Sequence, residues 1–309
     1  MIKIFKTFGD YTEISKCENN CWVNVIEPSE KEIQKLSTDF NIPTDIIKDI
    51  LDPDERPRIE TDDNWKLIII RIPVESQNKS VPFYTIPLGV FIREDLVLTL
   101  CLRNNNVLPF ELQTPFKDQH KKLTGDINNV LRIFLRTGGT YIKYLTQINQ
   151  QTEKIEKGLE KSIKNEELNK LLKLEKCLVY FITSTKANEI VLSKLKTYKS
   201  LSSEINEDLL EDAIIENKQA LEISQIYSDI QNGIMDVFAS VISNNLNLVM
   251  KQLTVISIIL MIPTLIASML GMNVPNFMEH AYWAMPTIII ASILLSIVGV
   301  VLFRKKHWF

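Results

Sequence analysis

The C-terminal stretch decides most of what this chain can become. Between Gln252 and Phe303 the only formal charge is Glu279. Within it lie two uncharged runs, residues 253–272 and residues 281–303, of 20 and 23 residues. Each is long enough to cross a hydrocarbon core of about 30 Å. The competing interpretation, a buried hairpin of a soluble protein, requires a polar face to turn toward water, and neither run has a charged one. Lys251 precedes the first run and Arg304-Lys305-Lys306 follows the second. The positive-inside rule then puts both flanks in the cytosol and the loop 273–280 outside. Tyr282 and Trp283 at one end and Trp308 at the other suit the aromatic belts of a bilayer. Two helices per chain cannot enclose a water-filled path, so any transport through them needs an oligomer.

The rest of the chain is soluble in character. A net charge of −3 and 24% charged residues over 309 positions average a charged region with an uncharged one. Residues 1–6 alternate apolar and basic, which predicts a first strand and not a leader peptide. Cys17, Cys21, Cys101 and Cys177 are scattered and are expected to be reduced thiols of a cytosolic domain. His120, His280 and His307 form no metal-ligand spacing. No nucleotide loop and no nucleophile–histidine–acid arrangement points to an enzyme, and no basic aromatic patch points to nucleic acid.

Proline divides the sequence. Nine of the 12 prolines lie between Pro28 and Pro115, and the next is Pro263. The proline-rich part carries strand signals at residues 65–72, 88–92 and 96–100. Ser29 with Glu32 makes a capping box before a short helix, and residues 43–51 predict another. The proline-free part predicts helices near 126–160, 166–200 and 205–270, the first two an antiparallel pair turning at Lys164-Asn165. That hairpin is basic, with 12 lysines against seven acids over residues 143–199. A third helix running unbroken would be on the order of 100 Å long, too long for one compact domain. The fold class expected is an α+β cytosolic domain (1–120), a helical hairpin (121–203), a stalk helix (204–252), a first span (253–272), an outer loop (273–280), a second span (281–303) and a basic tail (304–309).

The long helix has one unusual face. One heptad register gives Asp229, Asp236, Ser243, Met250, Ser257, Thr264 and Gly271; its partner gives Gly233, Ser240, Asn247, Thr254, Met261 and Ser268. All 13 positions are small, polar or methionine, whereas neighbouring faces carry Ile256, Ile259, Leu260, Ile262, Leu265 and Ile266. Close helix–helix packing also favours small residues in membranes. The stripe extends below the membrane as Asp229 and Asp236, however, and a tight seam would bury those carboxylates at a cost of several kcal/mol each. Around a wet axis they attract cations. Met250 and Met261 would then form apolar constrictions that gate by shedding water. Pro263 bends or simply tolerates the span; both remain open.

Nine acids face one base, Lys218, over residues 204–250. Identical helices side by side would repel unless the basic hairpin or divalent cations lay between them. A solvated acidic face is the alternative.

Leu270-Gly271-Met272-Asn273 between two C-terminal spans, a short outer loop and the tail Phe303-Arg304-Lys305-Lys306-His307-Trp308-Phe309 together resemble the CorA magnesium transporter family. The segment Asp49-Ile50-Leu51-Asp52-Pro53-Asp54-Glu55-Arg56-Pro57-Arg58 is similar to the stretch leading into the central sheet of that family's soluble domain. The likeness covers most of the chain and is strongest over 205–309.

The resemblance implies a funnel-shaped homopentamer in the plasma membrane, both termini cytoplasmic, with the first span of each subunit lining the pore. It implies a filter at Gly271, Met272 and Asn273, where the Asn273 amides and Gly271 carbonyls hold a hydrated cation. Mg²⁺ dehydrates reluctantly, so neutral oxygens touching its water shell suit it. It further implies regulatory Mg²⁺ between cytosolic domains, with Asp212 at the sensor position and Glu75 as its partner. Two departures stand out: Leu270 where the family has an aromatic residue, and an outer loop whose only acid is Glu279. The cargo expected is Mg²⁺, with Co²⁺ and Ni²⁺. The alternatives are a Zn²⁺ transporter of the same fold and a membrane-tethered coiled-coil scaffold.

Overall fold

The computed structural model describes residues 1–6, 8, 12–17, 20–62, 65–76, 81–93, 96–108, 127–161, 165–197, 205–270 and 283–305. It forms two compact units, Met1–Gly233 and Ile234–Phe309.

The first unit is built on one mixed sheet. Its strands are β1 (Ile2–Phe5), β2 (Cys21–Ile26), β3 (Arg58–Thr61), β4 (Lys66–Glu75), β5 (Phe83–Arg93) and β6 (Leu96–Cys101), in the order β1-β2-β6-β5-β4-β3. Only β2 and β6 run parallel. Their register is fixed by a buried relay in which the Trp22 Nε1–H donates to Thr99 Oγ1 at 2.9 Å and the Thr99 hydroxyl donates to Asn24 Oδ1 at 2.9 Å. Neither β2 nor β3 was anticipated. β2 carries Asn24 in mid-strand, a strand-breaking signal that its long-range partner Thr99 neutralises.

Both sheet faces are covered, which is why β4, β5 and β6 read as nearly continuous apolar runs. Alternation sends Leu67 and Ile69 to one face, against α1 (Glu30–Phe40) and α2 (Thr44–Ile50). Ile68, Ile70 and Ile72 go to the other, against α3 (Asn128–Lys161), α4 (Asn165–Thr197) and the start of α5 (Glu207–Leu270). A Cβ on Gly89 would lie 2.5 Å from Ile50 Cδ1, so only glycine lets α2 approach β5 this closely. The capping box of α1 is present: the Ser29 N–H donates to Glu32 Oε2 at 2.8 Å and the Glu32 N–H to Ser29 Oγ at 3.4 Å. That bond to the Ser29 backbone holds the Glu32 carboxyl below its usual range.

The cysteines need a correction. Cys17 and Cys21 are joined in a disulfide with Cα atoms 5.7 Å apart, where the chain turns from β1 back into β2. Cys101 and Cys177 are buried thiols. Burial pushes each up to about 11.

β3 pairs β4 only as far as Ile69, so the backbone of Arg71 needs other partners. Asn188 of α4 supplies them: its Oδ1 accepts from the Arg71 N–H and its Nδ2 donates to the Arg71 carbonyl, both at 2.8 Å. The Tyr141 hydroxyl donates to the same carbonyl at 3.1 Å. The Arg71 guanidinium donates to the carbonyls of Pro53, Glu55 and Thr85 at 2.8–2.9 Å, tying down the segment that precedes Arg58. Burial lowers its pKa from the ordinary arginine value.

Helix α5 packs on α4 through both apolar and polar side chains, with Leu210 and Ala213 in one cluster with Val191, Leu192 and Leu195. Asn217, Ser224 and Gln231 are buried at heptad spacing with Ala213 and Ala220. Asn217 Nδ2 donates to the Thr185 carbonyl at 2.9 Å, and Gln231 Nε2 donates to the Leu171 carbonyl. Asn188→Ala should cost roughly 2 kcal/mol, because it leaves the Arg71 N–H without its partner and the Arg71 carbonyl with Tyr141 alone. Urea denaturation of the full-length protein in detergent, followed by tryptophan fluorescence, will show it.

Candidate functional site

The second unit holds the C-terminal part of α5 and α6 (Ala284–Lys305). Both helices expose large apolar side chains: Leu260 is 64% exposed, Leu265 63% and Met285 73%. Water would not tolerate such a surface; hydrocarbon does. Side-chain hydroxyls here turn back onto the preceding helical turn, Thr254 Oγ1 to the Met250 carbonyl at 2.8 Å and Thr264 Oγ1 to the Leu260 carbonyl at 2.9 Å. The helix passes through Pro263 without ending.

Within this unit α6 covers one face of α5. Val255 is fully buried, and Ile259, Ile262 and Ile266 are half-buried. The glycine of α6 lets the pair approach: a Cβ on Gly299 would sit 3.6 Å from Ile262 Cδ1 and 4.0 Å from Ile259 Cγ1. At about 100° per residue, Ile266 lies roughly half a turn of azimuth from Ser257, nine positions away. From Met250 to Ser268 the small and polar stripe therefore lies on the side of α5 away from α6.

The 12 stripe positions that the structure describes are all exposed: Asp229, Gly233, Asp236, Ser240, Ser243, Asn247, Met250, Thr254, Ser257, Met261, Thr264 and Ser268. Apolar neighbours such as Ile256 and Leu260 are exposed as well. What sets the stripe apart is its chemistry and, from Met250 to Ser268, its position away from α6.

Gly271, Met272 and Asn273 lie outside the described residues, as do the loop 273–280 and the tail beyond Lys305. Asp212 is exposed on α5 and Glu75 is exposed at the end of β4, opposite Phe83 in the β4–β5 register. The negative charge of Glu75 adds to burial in raising the Tyr144 hydroxyl pKa on α3, which places Glu75 beside that helix. Among the described residues of one chain, no group of three or more histidine, cysteine, aspartate or glutamate side chains converges on a metal position. Sequence reasoning did not find the covered face of α5, because its isoleucines read the same whether they meet lipid or another helix.

These features define a class: a membrane protein with a three-layer soluble unit and two C-terminal spans, the first carrying a polar face. The comparisons give the family. A profile described as CorA-like Mg²⁺ transporter protein matches residues 18–306. The cobalt/magnesium transport protein CorA of Methanocaldococcus jannaschii is 25% identical over 313 residues, covering 98% of this chain and 93% of that protein. The protein of the same description from Thermotoga maritima is 24% identical over 303 residues, covering 93% of this chain and 83% of its own length. The complete structure of the M. jannaschii CorA magnesium transporter superposes with a TM-score of 0.81 at 23% identity, covering 100% of this chain and 99% of that one. The chain belongs to the CorA-like Mg²⁺ transporter family.

The two faces of α5 can be told apart chemically. Cysteine placed at Ser257 or Thr264 should react with a membrane-impermeant thiol reagent, and cysteine at Ile262 should not. The native thiols Cys101 and Cys177 give little background, being buried and protonated at neutral pH. Equal labelling at 257 and 262 would contradict the assignment of the faces.

Proposed function

We propose that this chain moves divalent cations across the membrane, Mg²⁺ above all and Co²⁺ and Ni²⁺ with it, through a homopentameric pore lined by the α5 stripe. The observation that carries this is the exposed polar stripe along α5 from Asp229 to Ser268, whose part from Met250 onward lies away from α6. In a bilayer that face needs water or another helix, and two helices per chain cannot provide a wet path alone. Several copies of α5 around one axis can. The family profile names Mg²⁺, and the names of the M. jannaschii and T. maritima relatives give cobalt and magnesium, which supports the Mg²⁺ and Co²⁺ part of this cargo.

In such an assembly each residue type has a physical role. Rings of Asp229 and Asp236 concentrate cations at the cytosolic end. Ser240, Asn247, Thr254, Ser257, Thr264 and Ser268 offer neutral oxygens along the path. Met250 and Met261 form thioether constrictions that exclude water when narrow. Gly271, Met272 and Asn273 form the outer filter, where Asn273 amide oxygens touch the hydration shell of the ion and do not strip it. Neutral oxygens hold the cation weakly enough to release it.

Gating follows from the exposed acids of the soluble unit. Asp212 of one subunit, facing Glu75 of the next, would bind regulatory Mg²⁺ when the internal concentration is high and release it when the concentration falls. Both carboxylates are exposed within one chain, as an intersubunit site requires. The soluble unit and both termini are cytoplasmic in this arrangement, with the domain boundaries set out above and the assembly funnel-shaped. No cysteine or histidine lies on the stripe to favour a softer ion such as Zn²⁺. A coiled-coil scaffold would need an apolar seam where the stripe has acids and serines.

Reconstituted in liposomes, the protein should admit Mg²⁺ as read by an internal dye, and Asn273→Ala should abolish selective flux while leaving the oligomer intact on size exclusion. Zn²⁺ flux without Mg²⁺ flux would contradict the cargo. Asp212→Ala should weaken inhibition by internal Mg²⁺; protease protection at high Mg²⁺ identical to that of the unaltered protein would remove Asp212 from the sensor.

A further inference from the structure

The soluble unit contains a second charged site, of opposite sign to the cation path. The turn after β6 and one face of α3 enclose a cavity of about 680 Å³. Asn104, Asn105, Asn106, Arg136, Thr140 and Lys143 supply its polar lining, and among the described residues no carboxylate lines it. Arg136 and Lys143 lie seven residues apart on one face of α3, about 10 Å along the axis, a span that two long side chains close onto one oxyanion. Neither takes part in any ion pair among the described residues. Lys170, on the same basic hairpin, is paired with Glu166 and Glu167 instead.

Two of the asparagines fix the turn and the third offers a donor to the cavity. Asn105 Oδ1 accepts from the Val107 and Leu108 N–H groups at 3.0 and 2.7 Å, which pins the turn. Asn106 Nδ2 donates to the Tyr144 hydroxyl at 2.7 Å, anchoring the turn to α3. Asn104 uses its Oδ1 to accept from the Asn105 N–H at 3.1 Å, so its Nδ2 remains a donor for a ligand. Gly139 lines the wall between the two cations. Behind it stands Glu216 of α5, whose Oε1 is 3.7 Å from where a Gly139 Cβ would be. A Cβ on Gly138 would meet Glu216 Cγ at 2.5 Å, so the paired glycines are what bring this carboxylate so near.

We propose that this cavity binds a phosphate group, either of inorganic phosphate or of a nucleotide. A planar guanidinium, an ammonium and a free amide N–H are the donors that phosphate oxygens take. Two cations, with no acid among the described lining residues, favour an anion over a divalent cation. The volume exceeds a single phosphate and leaves room for a nucleoside beyond it. Glu216 repels the bound anion from behind the wall and sets a ceiling on affinity.

Isothermal titration calorimetry of the full-length protein in detergent, in Mg²⁺-free buffer, tests this with inorganic phosphate and with ATP as separate probes. Saturable binding of one probe at millimolar concentration or below is expected. Arg136→Ala and Lys143→Ala should each weaken it roughly tenfold, the loss of one charge-assisted contact. Glu216→Gln should tighten it several-fold, a change that simple unfolding would not produce. Phosphate binding as tightly as ATP identifies the free anion, and tighter ATP identifies a nucleotide. Absence of saturable heat with both probes, or binding untouched by Arg136→Ala and Lys143→Ala in proteins with unchanged circular dichroism, would overturn the proposal.

Discussion

A polar helix face cannot be left against hydrocarbon, because lipid tails offer no partner to a hydroxyl, an amide or a carboxylate. That constraint governs α5 and, through it, the rest of the molecule. Part of the requirement is met within the helix, where Thr254 and Thr264 donate to carbonyls one turn back. Asn247 and Ser257 need water or a neighbour. α6 supplies neither, since it covers the isoleucine face. The stripe is thus the surface on which several chains would meet, and its composition favours a wet meeting over a dry one. Small residues alone would also allow close helix packing, but a stripe that carries Asp229, Asp236 and Asn247 suits the lining of a path for a hydrated ion.

The soluble half of α5 obeys a related logic. Beside the buried Leu210 and Leu221, it docks on α4 with alanines and amides at heptad spacing. Asn217 reaches the Thr185 carbonyl and Gln231 the Leu171 carbonyl, pairs that are each 14 residues apart on their own helix. Directional bonds of this kind fix register while leaving the acidic face of the helix uncovered. Asp212 lies on that face.

The helices and spans were legible because they rest on local signals. The absence of proline from 116 to 262 gave three helices whose ends, at α3, α4 and α5, lie within three residues of the positions expected. Strands β4, β5 and β6 announced themselves as apolar runs, and the Ser29–Glu32 capping box as a four-residue pattern. What stayed hidden depends on partners far away in sequence. β2 contains Asn24, whose side chain is tolerable only because Thr99 meets it. Asn188 looks like any helical asparagine until its two bonds to Arg71 are seen, 117 positions distant. Cys17 and Cys21 gave no sign of pairing, since a spacing of four suits a metal, a disulfide or nothing at all. At the site, heptad counting picked out the stripe, but the position of α6 relative to it required the structure. The filter residues Gly271, Met272 and Asn273 were named from family resemblance, not from geometry.

A side-chain-resolution reconstruction of the assembled protein in lipid nanodiscs measures the central point most directly: how many chains surround the axis and which face of α5 they turn toward it. Five copies with Asn247, Ser257 and Thr264 pointing inward around a solvent-filled path are predicted. A single chain in the disc, or an axis filled by Ile259, Ile262 and Ile266, would contradict the permeation mechanism.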